Sequence, residues 1–187
     1  FYLSHLITSI FKFNNFLNSL NNEEKFSIQS ISKVLSLALV YKILGEKIWE
    51  RVGVEPSGNS FNSLVQLETD LGIPRNPFIN AGALVICDML LDLLENPKED
   101  FLEFVRDIAE NPRISYQNTV AQSEKDHGYR NIALCNFIKS FGNINNEPEK
   151  VMDLYFNMCS LEMSCSELSI AFSFLANSGK KITDGKE

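Results

Sequence analysis

The sequence predicts a mainly α-helical chain, and three observations carry that reading. Apolar residues recur at helical spacing along most of its 187 residues. Glycine, proline and asparagine fall where those apolar stretches begin and end, which is where helices start and stop. No convincing β-hairpin pattern, internal repeat or low-complexity tract interrupts them. At this length, with 44% hydrophobic residues, the chain fits one domain with a real core. A net charge of -7 argues against a broad basic surface for polyanions, so nucleic acid is not an expected partner.

From the N-terminus, residues 1–11 are apolar enough to resemble a targeting segment, but His5 interrupts them and Lys12 closes them. No small-residue cleavage site follows, and the run is too short to span a bilayer. The expectation is an amphipathic helix or its remnant, no membrane partner, and the cytoplasm as compartment. Residues 13–25 are rich in Asn, Ser and Glu and read as a polar linker. A buried helix is expected from near Ser27 to about Leu44, stopped by Gly45, with a short helical turn around Trp49. Residues 53–79 contain Glu55-Pro56-Ser57-Gly58 and Gly72-Ile73-Pro74-Arg75-Asn76-Pro77 and read as a long irregular excursion.

The next helix is expected from Asn80 or Ala81 to about Leu94, with Asn80 in N-cap position and small residues in its first turn. Lys98 to Asn111 follows as an amphipathic helix, then a short helical or extended piece over 113–122. The polar stretch Ser123 to Asn131 has the composition of a solvated face. Asn131 to Phe141 and Glu149 to Ser160 are read as helices, the second with Pro148 in its first turn. Ser164-Cys165-Ser166-Glu167 has the pattern of a capping box leading into Leu168 to Asn177, closed by Gly179.

Chemistry concentrates at Ser30 and Lys33, three apart and therefore on one face of a helix. A serine hydroxyl needs a base beside it, and a lysine serves as one only when burial or a neighbouring cation lowers its pKa. The apolar run Val34 to Val40 offers that burial. Spacing alone is a weak signal, since Ser178-Gly179-Lys180-Lys181 repeats it in what reads as an exposed turn. Cys87, Cys135, Cys159 and Cys165 show no C-x-x-C pair and read as free thiols, three of them among apolar residues. With His5 and His127 as its histidines, the chain offers no zinc spacing and no obvious Ser-His-Asp triad.

Phe26 to Val34, Glu55 to Gly58, Asn76 to Ala83 and Ser123-Glu124 through Arg130-Asn131, in this order, resemble the serine-dependent glutaminases. Asp153 to Phe156, Cys159 to Glu162 and Ala176 to Gly179 continue the likeness. It covers roughly residues 24–184, and residues 1–23 form a divergent N-terminal segment ahead of a domain over 24–187. The resemblance implies the helical part of an α+β fold like that of serine β-lactamases and transpeptidases, with sheet strands largely missing. It implies hydrolysis of L-glutamine to L-glutamate and ammonia, without metal or organic cofactor, by a homo-oligomer, dimer or tetramer. By the same resemblance Ser30 matches the nucleophile and Lys33 its base, and Asn80, Glu124, Asn131 and Tyr155 match substrate-binding positions. Glutamine brings an ammonium, a carboxylate and an amide that need partners once desolvated, and those residue types can supply them. Each also has a plainer reading: Asn80 as helix cap, Asn131 as turn residue, Tyr155 as core aromatic, Glu124 as surface carboxylate.

Two departures accompany the likeness. Residues 1–23 lack the family's N-terminal segment, and the sequence stops before its Gly-Met-Tyr motif and glycine-rich strand, the implied sources of a catalytic tyrosine and an oxyanion hole. A catalytically incomplete binding or assembly module is therefore the first alternative. A related serine acyl-transfer enzyme acting on β-lactams or peptides is the second.

Overall fold

The computed structural model describes residues 23–58, 60–61 and 63–181. The expected N-terminal helix over residues 1–11 lies outside them. In chain order the elements are β1 (Phe26–Ser27), a 3-10 turn (Gln29–Ile31), α1 (Ser32–Leu44), a 3-10 segment (Gly45–Glu50), α2 (Leu64–Thr69) and α3 (Asn80–Leu93). Then come α4 (Pro97–Ile108), β2 (Ser115–Tyr116), α5 (Asn118–His127), α6 (Tyr129–Ser140), α7 (Pro148–Cys159), β3 (Leu161–Met163), α8 (Cys165–Ala171) and a last 3-10 turn (Ser173–Ala176). The chain divides into two compact units.

The first unit comprises residues 23–27, 102–115 and 162–181 of the described chain. It holds the antiparallel pairing of β1 with β3, Phe26 opposite Met163 and Ser27 opposite Glu162, in a sheet of order β1-β3-β2. These strands are two or three residues long, too short to show any alternating pattern in sequence. The expected capping box is present: Ser164 Oγ accepts the Glu167 N–H at 3.2 Å, and Glu167 returns a bond to the Ser164 N–H at 2.7 Å. Glu167 also accepts from the Asn111 amide and lies 3.7 Å from Lys25. Ser178 and Gly179 both take left-handed backbone angles, φ 53° and 81°, which makes the second Ser-x-x-Lys copy a turn, as its sequence indicates.

The second unit comprises residues 28–101 and 116–161. Helix α3 is its axis: every residue from Ala81 to Leu90 is buried, as expected of a helix apolar all round. It packs on α1, α6 and α7, while α5 and α6 also pack on α7. Leu35, Val40, Leu84, Leu134, Ile138 and Leu154 are among its buried side chains. Gly82 is required by close approach, because a Cβ there would stand 2.0 Å from the Asn76 carbonyl oxygen. Asp88 is the charged residue inside the buried run, with Arg51 Nη2 at 2.5 Å and the backbone N–H groups of Asn145 and Asn146 at 3.0 and 2.9 Å.

Four sequence expectations need correction. The buried helix begins at Ser32 rather than Ser27, because the chain first makes strand β1 and a 3-10 turn. The irregular excursion contains α2, whose N-cap Ser63 accepts the Gln66 N–H at 3.2 Å. Asn80 is not the cap of α3: Ile79 holds that position without a side-chain bond, and Asn80 is the first helical residue. The final helix starts at Cys165 and gives way to a 3-10 turn after Phe172, earlier than Asn177.

Candidate active site

Ser30 sits in the 3-10 turn that precedes α1. The residue before it, Gln29, has φ 49°, a left-handed conformation that costs a non-glycine residue on the order of 1 kcal/mol. Two bonds hold this turn in place. The Ile28 N–H donates to the Leu161 carbonyl at 2.8 Å, and the buried Ser32 hydroxyl donates to the Gln29 carbonyl at 2.8 Å. Ser30 itself is exposed and, among the described residues, its hydroxyl has no hydrogen-bond partner.

Lys33 lies one turn on, in α1, and is 5% exposed. Its Nζ donates to Asn80 Oδ1 at 2.7 Å and to the Phe78 carbonyl at 3.1 Å. Burial pushes its pKa below the ordinary lysine value. Cys159 and Cys87 would raise it as thiolates, but burial holds both thiols well above their usual range, Cys159 up to about 11. At neutral pH those thiols are therefore uncharged and do not counter the desolvation of Lys33. A neutral amine has two N–H donors and one lone pair. In that neutral form Asn80 and Phe78 would take the two donors and leave the lone pair unbonded.

The amide of Asn80 continues the chain of bonds, Nδ2 donating to Asn131 Oδ1 at 2.9 Å. Tyr155, on α7, is buried and its hydroxyl pKa is raised, by burial first and then by Cys159. Glu124, on α5, is half-buried, and its charge contributes to the upward shifts of both Tyr155 and Cys159. Of the residues singled out in the sequence, Lys33, Asn80 and Asn131 are thus joined directly. Glu124 and Tyr155 are neighbours on two helices that pack together, and Ser30 shares the helical run of Lys33 without a direct bond to it. Among the described residues no group of three or more His, Cys, Asp or Glu is placed to hold a metal.

The sequence reading did not find Asn76 or the Phe78 carbonyl. Asn76 Oδ1 accepts the N–H groups of Phe78 and Ile79 at 3.0 and 3.1 Å, making the turn that leads into α3. The signal was the Asn76-Pro77 pair, a common turn opener. Asn80 stands out because the resemblance matches it to a substrate-binding position.

A family model described as Glutaminase matches residues 8–187. The chain belongs to the glutaminase family. It is 59% identical over 167 residues to a glutaminase of Christiangramia forsetii, covering 89% of this chain and 55% of that one. It is 57% identical over 157 residues to a glutaminase of Saccharophagus degradans, covering 84% and 51%. Among solved structures, a Bacillus subtilis probable glutaminase superposes with a TM-score of 0.79 at 31% identity, over 87% of this chain and 53% of that one. The probable glutaminase ybaS gives 0.81 at 27% identity, over 89% and 54%. The family chain spans about half the length of the curated relatives it matches. Its mainly helical architecture is the helical part of the β-lactamase-like fold of those glutaminases. Among the described residues no helix is long and apolar enough to cross a membrane.

Proposed function

We propose that this chain carries the nucleophile and base of a glutaminase that hydrolyses L-glutamine to L-glutamate and ammonia. The observation that carries the reading is Lys33, a buried amine of depressed pKa whose donors are bound by Asn80 and Phe78, three residues after an exposed, unbonded serine.

In the proposed reaction the Lys33 lone pair takes the Ser30 hydroxyl proton as Oγ attacks the side-chain amide carbon of glutamine. The tetrahedral intermediate collapses, the C–N bond breaks, and the amide nitrogen leaves as ammonia with the proton returned from Lys33. Water then attacks the Ser30 ester, its proton passing through Lys33 back to Ser30 Oγ as glutamate departs. Glu124 suits the substrate ammonium. The second Nδ2 hydrogen of Asn80, the Nδ2 of Asn131 and the Tyr155 hydroxyl supply neutral bonds to carboxylate or amide, and such bonds favour glutamine over glutamate. The proposal needs no cofactor, and it places the enzyme in the cytoplasm as a homo-oligomer, a dimer or tetramer.

The test is ammonia release from L-glutamine by the chain and by a version carried to the full length of its relatives, each beside Ser30→Ala. Release that vanishes in Ser30→Ala while glutamine binding persists is the expected result. Release that survives the substitution overturns the proposal, and turnover of a chromogenic β-lactam instead of glutamine redirects it to another acyl transfer. An assembly role without catalysis draws on the span of about half the relatives' length, and a chain that associates but binds no glutamine would favour it.

A further inference from the structure

We infer that Asn76 is a positioning residue for Lys33: its side-chain amide fixes the turn that presents the Phe78 carbonyl and Asn80 to the lysine amine. Both acceptors of Lys33 Nζ reach it from the same short turn, 45 and 47 residues along the chain. That turn is tied on three sides through Asn76. Oδ1 accepts from the Phe78 and Ile79 N–H groups at 3.0 and 3.1 Å, and Nδ2 donates to the Glu55 carbonyl at 2.8 Å. The Asn76 carbonyl packs so closely on Gly82 that no side chain fits there. Pro77 adds a fixed φ and removes one N–H that the turn would otherwise have to satisfy.

The plainer role for Asn76 is to brace the turn ahead of α3. The two roles part at the lysine. A turn brace acts on stability alone, whereas a positioning residue also sets the charge state of Lys33. Aligned carbonyl oxygens bind an ammonium more strongly than a neutral amine, so the Phe78 and Asn80 oxygens hold the Lys33 pKa up against burial. Releasing the turn removes that support and lowers the pKa further. The other titratable groups facing this amine are the Cys87 thiol on α3 and the Cys159 thiol on α7. Glu124 on α5 and Tyr155 on α7 act in turn on Cys159, and none of these belongs to the turn.

The consequence for catalysis rests on the glutaminase reading of Lys33, but the test does not. Lysines labelled with ¹³C at Cε are titrated by NMR in the chain, in Asn76→Ala and in Asn76→Asp, with Lys33 assigned from Lys33→Arg. Asn76→Ala is expected to lower the Lys33 midpoint, and Asn76→Asp, which keeps both acceptor bonds, to leave it at or above the original. A folded Asn76→Ala chain with an unchanged midpoint overturns the inference, as does an equal lowering in Asn76→Asp. Should Asn76→Ala fail to fold, hydrogen exchange in the unsubstituted chain decides: slow Phe78 and Ile79 amides are expected, and amides exchanging at the free-peptide rate overturn it. In the active enzyme, Asn76→Ala is expected to lower kcat by about 100-fold with KM little changed, and Asn76→Asp to recover most of it. Turnover independent of Ser30 would end the glutaminase reading and leave the titration result standing.

Discussion

At the scale of residues, the proposed site is built on an amine held where water cannot support its charge. Lys33 is 5% exposed and its pKa is lowered by that burial. A base must be unprotonated to act, so kcat should rise with pH through the Lys33 pKa and level off at a pH below the ordinary lysine range, about 10.4. A kcat profile from pH 5 to pH 11, taken with salt held constant, checks the position of that acid limb. Lys33→Ala should lower kcat by about 100- to 10,000-fold, the usual worth of a positioned base, while glutamine affinity changes little. Ser30 and Lys33 stand out in the sequence because both fall within four positions of an apolar run. The use of Asn80 was legible only in part. The resemblance marked it for the site, but its place at the head of an apolar helix suited a cap, and only the packing of α3 against α1 decides that its oxygen meets Lys33 instead.

At the scale of elements, α3 brings Asn80 to Lys33 and is pinned by a buried charge. Asp88 is fully buried. Burial alone would raise its pKa, but the Arg51 guanidinium and the Asn145 and Asn146 N–H groups outweigh that cost and hold it below the usual carboxylate range. Because the folded value is depressed, this contribution is present above the unfolded pKa, about 3.9, and is lost as pH falls through the folded value. Thermal melts should therefore show stability declining below about pH 4, and the decline should shrink in Asp88→Asn. Removing one partner of a buried pair leaves the other uncompensated, so Asp88→Ala should cost about 3–5 kcal/mol in urea unfolding. Gly82→Ala meets the Asn76 carbonyl at 2.0 Å. It should disturb both the stability of α3 and the turn that serves Lys33, a loss of about 1–3 kcal/mol by the same assay. Periodicity exposed α3 from sequence almost to the residue, because its core run is long and continuous. It missed α2, whose six residues include one buried side chain, leaving too little apolar pattern to separate a helix from a loop.

At the scale of the whole molecule, what matters is which catalytic parts the chain contains. Its helices carry the residues proposed as nucleophile, base and glutamine contacts, and it spans about half the length of the curated relatives. That proportion was legible in the sequence as missing motifs, whereas the small sheet was not, since strands of two and three residues leave no alternation to read. The resemblance assigns the oxyanion-hole backbone and a catalytic tyrosine to the glycine-rich strand and Gly-Met-Tyr motif, neither of which occurs in these residues. Loss of one oxyanion donor costs about 100- to 1,000-fold in kcat, because the developing negative charge loses a preorganised partner that water cannot replace inside a closed site. A version extended to the relatives' full length should therefore release ammonia from glutamine at least about 100-fold faster than the 187-residue chain. Both forms should lose release on Ser30→Ala, since extension adds stabilisation of the transition state and leaves the nucleophile unchanged. Equal rates in the two forms would place the oxyanion donors within the present chain, with the backbone N–H groups around Ser30, at the start of the helical run, as the first to substitute.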